Sequence, residues 1–186
     1  MAIQTPSTMQ RCAAFTLVEL SATLVIIGIL AAAIVPKFID LSDEADNAHI
    51  DTIVAAMKAG EQQVLASYYI QGAPGLGQNG ATVVSIDNIP VRFNNGQIRT
   101  TESSDHVPAG TQNRNSAYSR LFFLFLEQAP GPLVNRNSAA TGWVMLGNNN
   151  RCAAGQNPRR CWEYRKNGNR LARITYYPRE RSFVRD

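Results

Sequence analysis

Four groups of residues have the types that could do chemistry. Asp105 and His106 follow directly on Ser103 and Ser104, the ingredients of an activated hydroxyl. Activation requires nucleophile, base and orienting acid in hydrogen-bond reach of one another, and neighbours in one polar loop rarely reach that geometry. The run reads as a solvated loop. Cys152 and Cys161 lie close together, but the chain has two histidines, His49 and His106, and neither is near them in sequence. A structural zinc takes four ligands, so no metal is expected. Gly75-Leu76-Gly77-Gln78-Asn79-Gly80 matches a glycine-rich phosphate loop. It follows a helical pattern and precedes a strand pattern, the reverse of the dinucleotide context, and reads as a flexible loop with no cofactor.

The fourth group is basic. The chain carries a net charge of +4 with a pI near 9.2, and the excess lies beyond Arg151. Arg159, Arg160, Arg165 and Lys166 interleave there with Trp162, Tyr164, Tyr176 and Tyr177. Such a mixture can bind nucleic acid or another polyanion, with an affinity that falls steeply with salt. It can equally be a solvated strand face, or a face attracted to the acidic stretch Asp40, Asp43, Glu44, Asp46 and Asp51 of neighbouring copies. No paired carboxylates, phosphate loop or zinc motif stand out, so nothing in the sequence points to an enzyme.

The elements that would carry these residues begin with an apolar run. From Phe15 to Val35 there is a single charge, Glu19. As a helix the run is about 30 Å long, the thickness of a bilayer core. It could be a secretory signal, with Arg11 as its basic region and Ala31-Ala32-Ala33 as its cleavage site. Glu19 inside the apolar segment, and a helical pattern directly after Pro36, argue against that. It could be a plain anchor with Glu19 reaching the interface from near the helix end. Pro36 lacks an amide donor and should kink or loosen the helix.

Beyond Pro36, apolar residues recur every three or four positions from Phe38 to Tyr68, an amphipathic helix ending near Ile70. Gly72-Ala73-Pro74-Gly75 closes it. Short strands are predicted at Ala81–Ile86 and Val91–Phe93, with a turn at Asn94-Asn95-Gly96. Thr100–Asn115 reads as an exposed loop and Ala117–Gln128 as a buried helix. Asn135–Thr141 reads as a second loop. Further strands are predicted at Trp143–Leu146, Cys161–Tyr164 and Arg170–Tyr177, the last two with one wet face. Tight connections favour an antiparallel sheet, with the long helix across it.

The run Cys12-Ala13-Ala14-Phe15-Thr16-Leu17-Val18-Glu19-Leu20, followed by Pro36-Lys37-Phe38, resembles the type IV pilin and type II secretion pseudopilin family. Pro36-Lys37-Phe38-Ile39-Asp40-Leu41 is similar to the mannose-sensitive haemagglutinin branch. Ala14 stands where the family usually has Gly. The resemblance implies an α+β pilin-like fold, a membrane-spanning helix continuing onto an antiparallel head. It implies a leader, residues 1–14, cut by a prepilin peptidase between Ala14 and Phe15, with N-methylation of Phe15. Residues 15–71 would be the long helix, 15–35 its transmembrane and assembly part, and 72–186 the head. Glu19 would pair with the free amine of a neighbouring Phe15, because a carboxylate buried without a partner is strongly penalised.

Removal of the leader would also remove Cys12. The remaining pair, Cys152 and Cys161, would form a disulfide at a periplasmic folding site. The expected partners are other pilins in a homo-oligomeric or mixed filament, the peptidase, an inner-membrane assembly platform, and the membrane before assembly. A minor or tip pilin whose head binds DNA or a surface is a second reading. A secreted domain behind an ordinary signal peptide is a third.

Overall fold

The computed structural model describes residues 15–73, 81–111, 113–146, 152 and 160–186. The expected leader and the glycine-rich loop at 75–80 lie outside these residues. Helix α1 runs from Leu17 to Ile70 and continues through Pro36. Its N-terminus is set by Thr16 and Glu19. The Glu19 amide donates to Thr16 Oγ1 at 3.2 Å, and the Thr16 amide and hydroxyl reach back to the Glu19 carboxylate. This reciprocal arrangement satisfies amide donors that a helix start leaves open.

The C-terminus of α1 is closed by Gly72, at φ +82°. The Gly72 amide donates to the Tyr69 carbonyl and the Ala73 amide to the Tyr68 carbonyl, each at 3.0 Å. A left-handed residue at this position lets both amides fold back onto open carbonyls, and glycine adopts it without a side-chain penalty.

The chain divides into two compact units, residues 1–46 and 47–186. The second unit holds the end of α1 and the rest of the fold. Strands β1 (Ala81–Ile86), β2 (Ile89–Asn94) and β3 (Gln97–Thr101) form one antiparallel sheet. After α2 (Ala117–Leu126), strands β4 (Gly142–Met145), β5 (Arg160–Lys166), β6 (Asn169–Tyr177) and β7 (Ser182–Arg185) form a second, in that order. Three hairpins turn on two left-handed residues each: Asp87-Asn88, Asn95-Gly96 and Asn167-Gly168. That conformation matches the twist of the flanking strands and favours Asn, Asp and Gly.

The α+β architecture agrees with the sequence reading, with three corrections. The antiparallel strands form two sheets, not one. β3 was not expected, and its last two residues, Thr100 and Thr101, take the start of the expected loop, because the Asn95-Gly96 turn carries the chain straight back along β2. β7 was not anticipated.

The core is shared by all of these elements. Ile50, Met57, Val64 and Tyr68 come from α1, Phe93 from β2, Phe122 from α2, and Trp143 and Trp162 from β4 and β5. Helix α2 starts at Ser116, whose side chain accepts from the Ser119 amide. It is buried along most of its length because both sheets and α1 need its surface. Phe122 meets Trp143 and Trp162 at 5.6 and 5.7 Å between ring centroids, and Phe125 meets Tyr176 at 5.3 Å. These separations suit tilted and edge-on aromatic packing.

Candidate functional site: the exposed start of the long helix

Leu17 to Val35 is long and apolar enough to cross a membrane, and none of it is buried within the chain. Leu24, Ile26, Ile29 and Val35 are exposed, and Phe15 is 82% exposed. Water would penalise this surface by about 25 cal/mol for each Å² left uncovered. The hydroxyls in the run are satisfied locally: Ser21 Oγ donates to the Val18 carbonyl at 2.9 Å and Thr23 Oγ1 to that of Glu19. The segment is therefore compatible with an apolar surrounding, except at one side chain.

That side chain is Glu19. Its contacts to the Thr16 amide and hydroxyl, at 3.5 and 3.4 Å, are at the long limit for hydrogen bonds. An ionised carboxylate has about four acceptor positions, so most of the capacity of Glu19 is still open. The Thr-x-x-Glu spacing of a capping box was present in the sequence, but the resemblance drew attention to Glu19 alone.

The other residues singled out from the sequence fall in different places. Ala14 and Arg159 lie outside the described residues. Cys152 and Cys161 form a disulfide, beside the cluster of Tyr118, Val144 and Leu146. Ser103 donates to Asp105, while His106 Nε2 lies 3.0 Å from the Arg120 carbonyl. The Ser103–Asp105 pair is closed on itself, and the imidazole serves the α2 backbone rather than a nucleophile. His49 is half-buried, its ring 6.1 Å from that of Tyr164.

The basic segment is largely engaged inside the head. Arg160 lies over the Tyr118 ring, 5.3 Å from its centroid, and burial lowers its pKa. Arg165 donates to the carbonyls of Arg136 and Gly168 and to Glu163. Lys166 is half-buried at the end of β5. Arg185 pairs with Asp51 and with Asn47 on α1, so part of the expected attraction between acidic stem and basic tail occurs within one chain.

Two buried carboxylates were not read from the sequence. Glu163 is 2% exposed on β5, in a position expected to be wet. Arg173, its register partner on β6, donates to it at 2.8 Å and Arg165 at 3.4 Å. Burial pushes its pKa up, but the Arg173 hydrogen bond and the two guanidinium charges outweigh that and hold it below the ordinary value. Glu61, on the core face of α1, accepts a 2.6 Å hydrogen bond from Tyr176 Oη. Here burial prevails over the tyrosine and the charge of Arg181, and the pKa is raised.

Residues 9–35 match the family described as the prokaryotic N-terminal methylation motif. Over 88 residues the chain is 38% identical to the type IV narrow pilus major component PilA5 of Thermus thermophilus, covering 42% of this chain and 74% of that one. No solved structure matches it. With the exposed apolar helix, the antiparallel head and the N-terminal motif in register, the chain belongs to the type IV pilin family, the class of structural pilus subunits.

Proposed function

We propose that this chain is made as a prepilin, cut between Ala14 and Phe15, methylated on Phe15, and polymerised through residues 15–35. Residues 1–14 are the leader, 15–71 the long helix, and 72–186 complete the head. Before assembly Leu17–Val35 lies in the inner membrane, with the head on the periplasmic side. A prepilin peptidase and methyltransferase, and an assembly platform in that membrane, act on it there. In the filament the same apolar surface is covered by the helices of other pilins.

One observation carries the reading: an apolar helical segment, wholly exposed in its own chain, interrupted near its start by one carboxylate with open acceptor positions. Cleavage before Phe15 creates an amine at the same end of the helix. Brought together in an apolar bundle, the amine of one copy and Glu19 of the next offset each other's desolvation, and a subunit out of register leaves both charges unpaired. Pro36 would let the helix adjust where it leaves the membrane-spanning part.

The test is Glu19→Ala in the native host. The variant should enter the membrane and keep a folded head, but be lost from the filament fraction sheared off the cells. Filament yields equal to wild type would contradict the assigned role.

A further inference from the structure

The head has a cleft of about 310 Å³ bounded by α1, the β1–β2 turn and the end of α2. Val64, Ile86, Ile89 and Leu124 form apolar walls, Gln63 and His106 also line it, and its rim carries Asp87 and Glu127. No lysine or arginine lines it. Gly60 keeps it tight at one end, because a methyl group there would overlap the Phe125 carbonyl.

A helix end adds to the negative charge of Asp87 and Glu127 in this cleft. The C-terminal end of a helix carries partial negative charge, which a basic residue normally complements. Helix α2 has no basic residue in its last turn and places Glu127 directly after it. Glu127 sits at φ +51° and ψ −44°, with the Gln128 amide donating to the Leu126 carbonyl. This is a tight turn that glycine would make more readily, so backbone preference does not explain the glutamate. Two carboxylates and a helix end thus converge on an apolar slot, the complement of a cation on an aliphatic stem.

A subunit of a filament meets its own copies repeatedly, and the inference rests on that proposed function. The head supplies such a cation. Arg170 is exposed at the start of β6, next to the Asn167-Gly168 turn. Among the described residues it makes no ion pair, unlike Arg165, Arg173 and Arg185. We propose that the cleft beside Glu127 and Asp87 is a socket for the Arg170 side chain of a second copy of this chain.

The experiment is a charge swap with a cross-link, scored in the native host. Glu127→Lys and Arg170→Glu should each lower the yield of sheared filaments by about tenfold, since each leaves a charged partner without its mate. The double variant should recover much of the loss. Both single variants should keep the wild-type melting temperature in detergent, which separates lost docking from lost folding. Glu127→Cys combined with Arg170→Cys should give an inter-copy disulfide that neither substitution gives alone. Intact filaments with no swap recovery and no cross-link would overturn the socket and leave the proposed function standing. Failure of the wild-type chain to enter any filament would overturn the proposed function itself. Docking of a small free amine instead would show as unchanged filament yields in all variants, and would overturn the socket but not the proposed function.

Discussion

Helix α1 contains two stretches of similar apolar residues with opposite fates. Leu24, Ile26 and Ile29 in its first part are exposed, whereas Ile50, Met57 and Val64 in its second part are buried in the head. Residue type does not decide the difference. In the second part apolar residues occupy one face, and polar residues such as Lys58 and Gln62 occupy the other, so a single covering layer suffices. The first part is apolar all round, and one layer from its own chain could not cover it. Under the proposed function its covering comes from outside the chain, and each half then responds to mutation in a different assay.

The largest effect on the head should come from truncating its buried helix face. Met57 is 0% exposed, and Met57→Ala should lower the unfolding free energy by about 2–5 kcal/mol in denaturant titrations. Ile29→Ala, an equally apolar change in the first half, should leave that value unchanged. Equal losses at the two sites would break the comparison.

Next in size is the disulfide. Cys152→Ser should cost about 2–3 kcal/mol, read as a lower melting temperature that reductant no longer alters. Gly60→Ala follows, at about 1–3 kcal/mol, because the added methyl must displace the Phe125 backbone. Gly28→Ala, where a Cβ meets nothing within the chain, should leave head unfolding untouched.

The smallest effect is a pH dependence. The folded-state pKa of Glu61 is raised above the ordinary glutamate value of about 4.5. The unfolded chain therefore loses this proton first, and stability falls as pH rises from about 4.5 through the raised value. Glu163 has the opposite sign: its depressed pKa gives stability that is present above 4.5 and is lost as pH falls through the folded value. Glu61→Gln should flatten the decline above 4.5 and leave the acid-side loss in place, as measured by melting temperature against pH.

Much of the fold was legible because its signals are local. Gly72 after Ile70 and Asn95-Gly96 between two apolar runs each act through their own few residues, as does the Thr16–Glu19 cap, whose spacing was overlooked. β3 was harder to see, since Gln97-Ile98-Arg99-Thr100-Thr101 has a single large apolar side chain. β7 is short and polar, and depends on pairing with β6 for its identity. Glu163 looked solvated because strands alternate, but β5 lies inside its sheet and Glu163 faces Arg173 across a register no sequence pattern states. Glu61 left a fainter trace, an acid at the four-residue spacing of Met57 and Leu65. The cleft beside Glu127 was invisible, being built from three segments far apart in the chain.

The most direct test of the prepilin assignment is the N-terminal sequence and intact mass of the mature chain from its native host. A start at Phe15, with mass increased by one methyl group on the new amine, is the predicted result. A start at Ile34, after Ala31-Ala32-Ala33, would remove Glu19 and the exposed apolar segment together, and would contradict assembly through this helix.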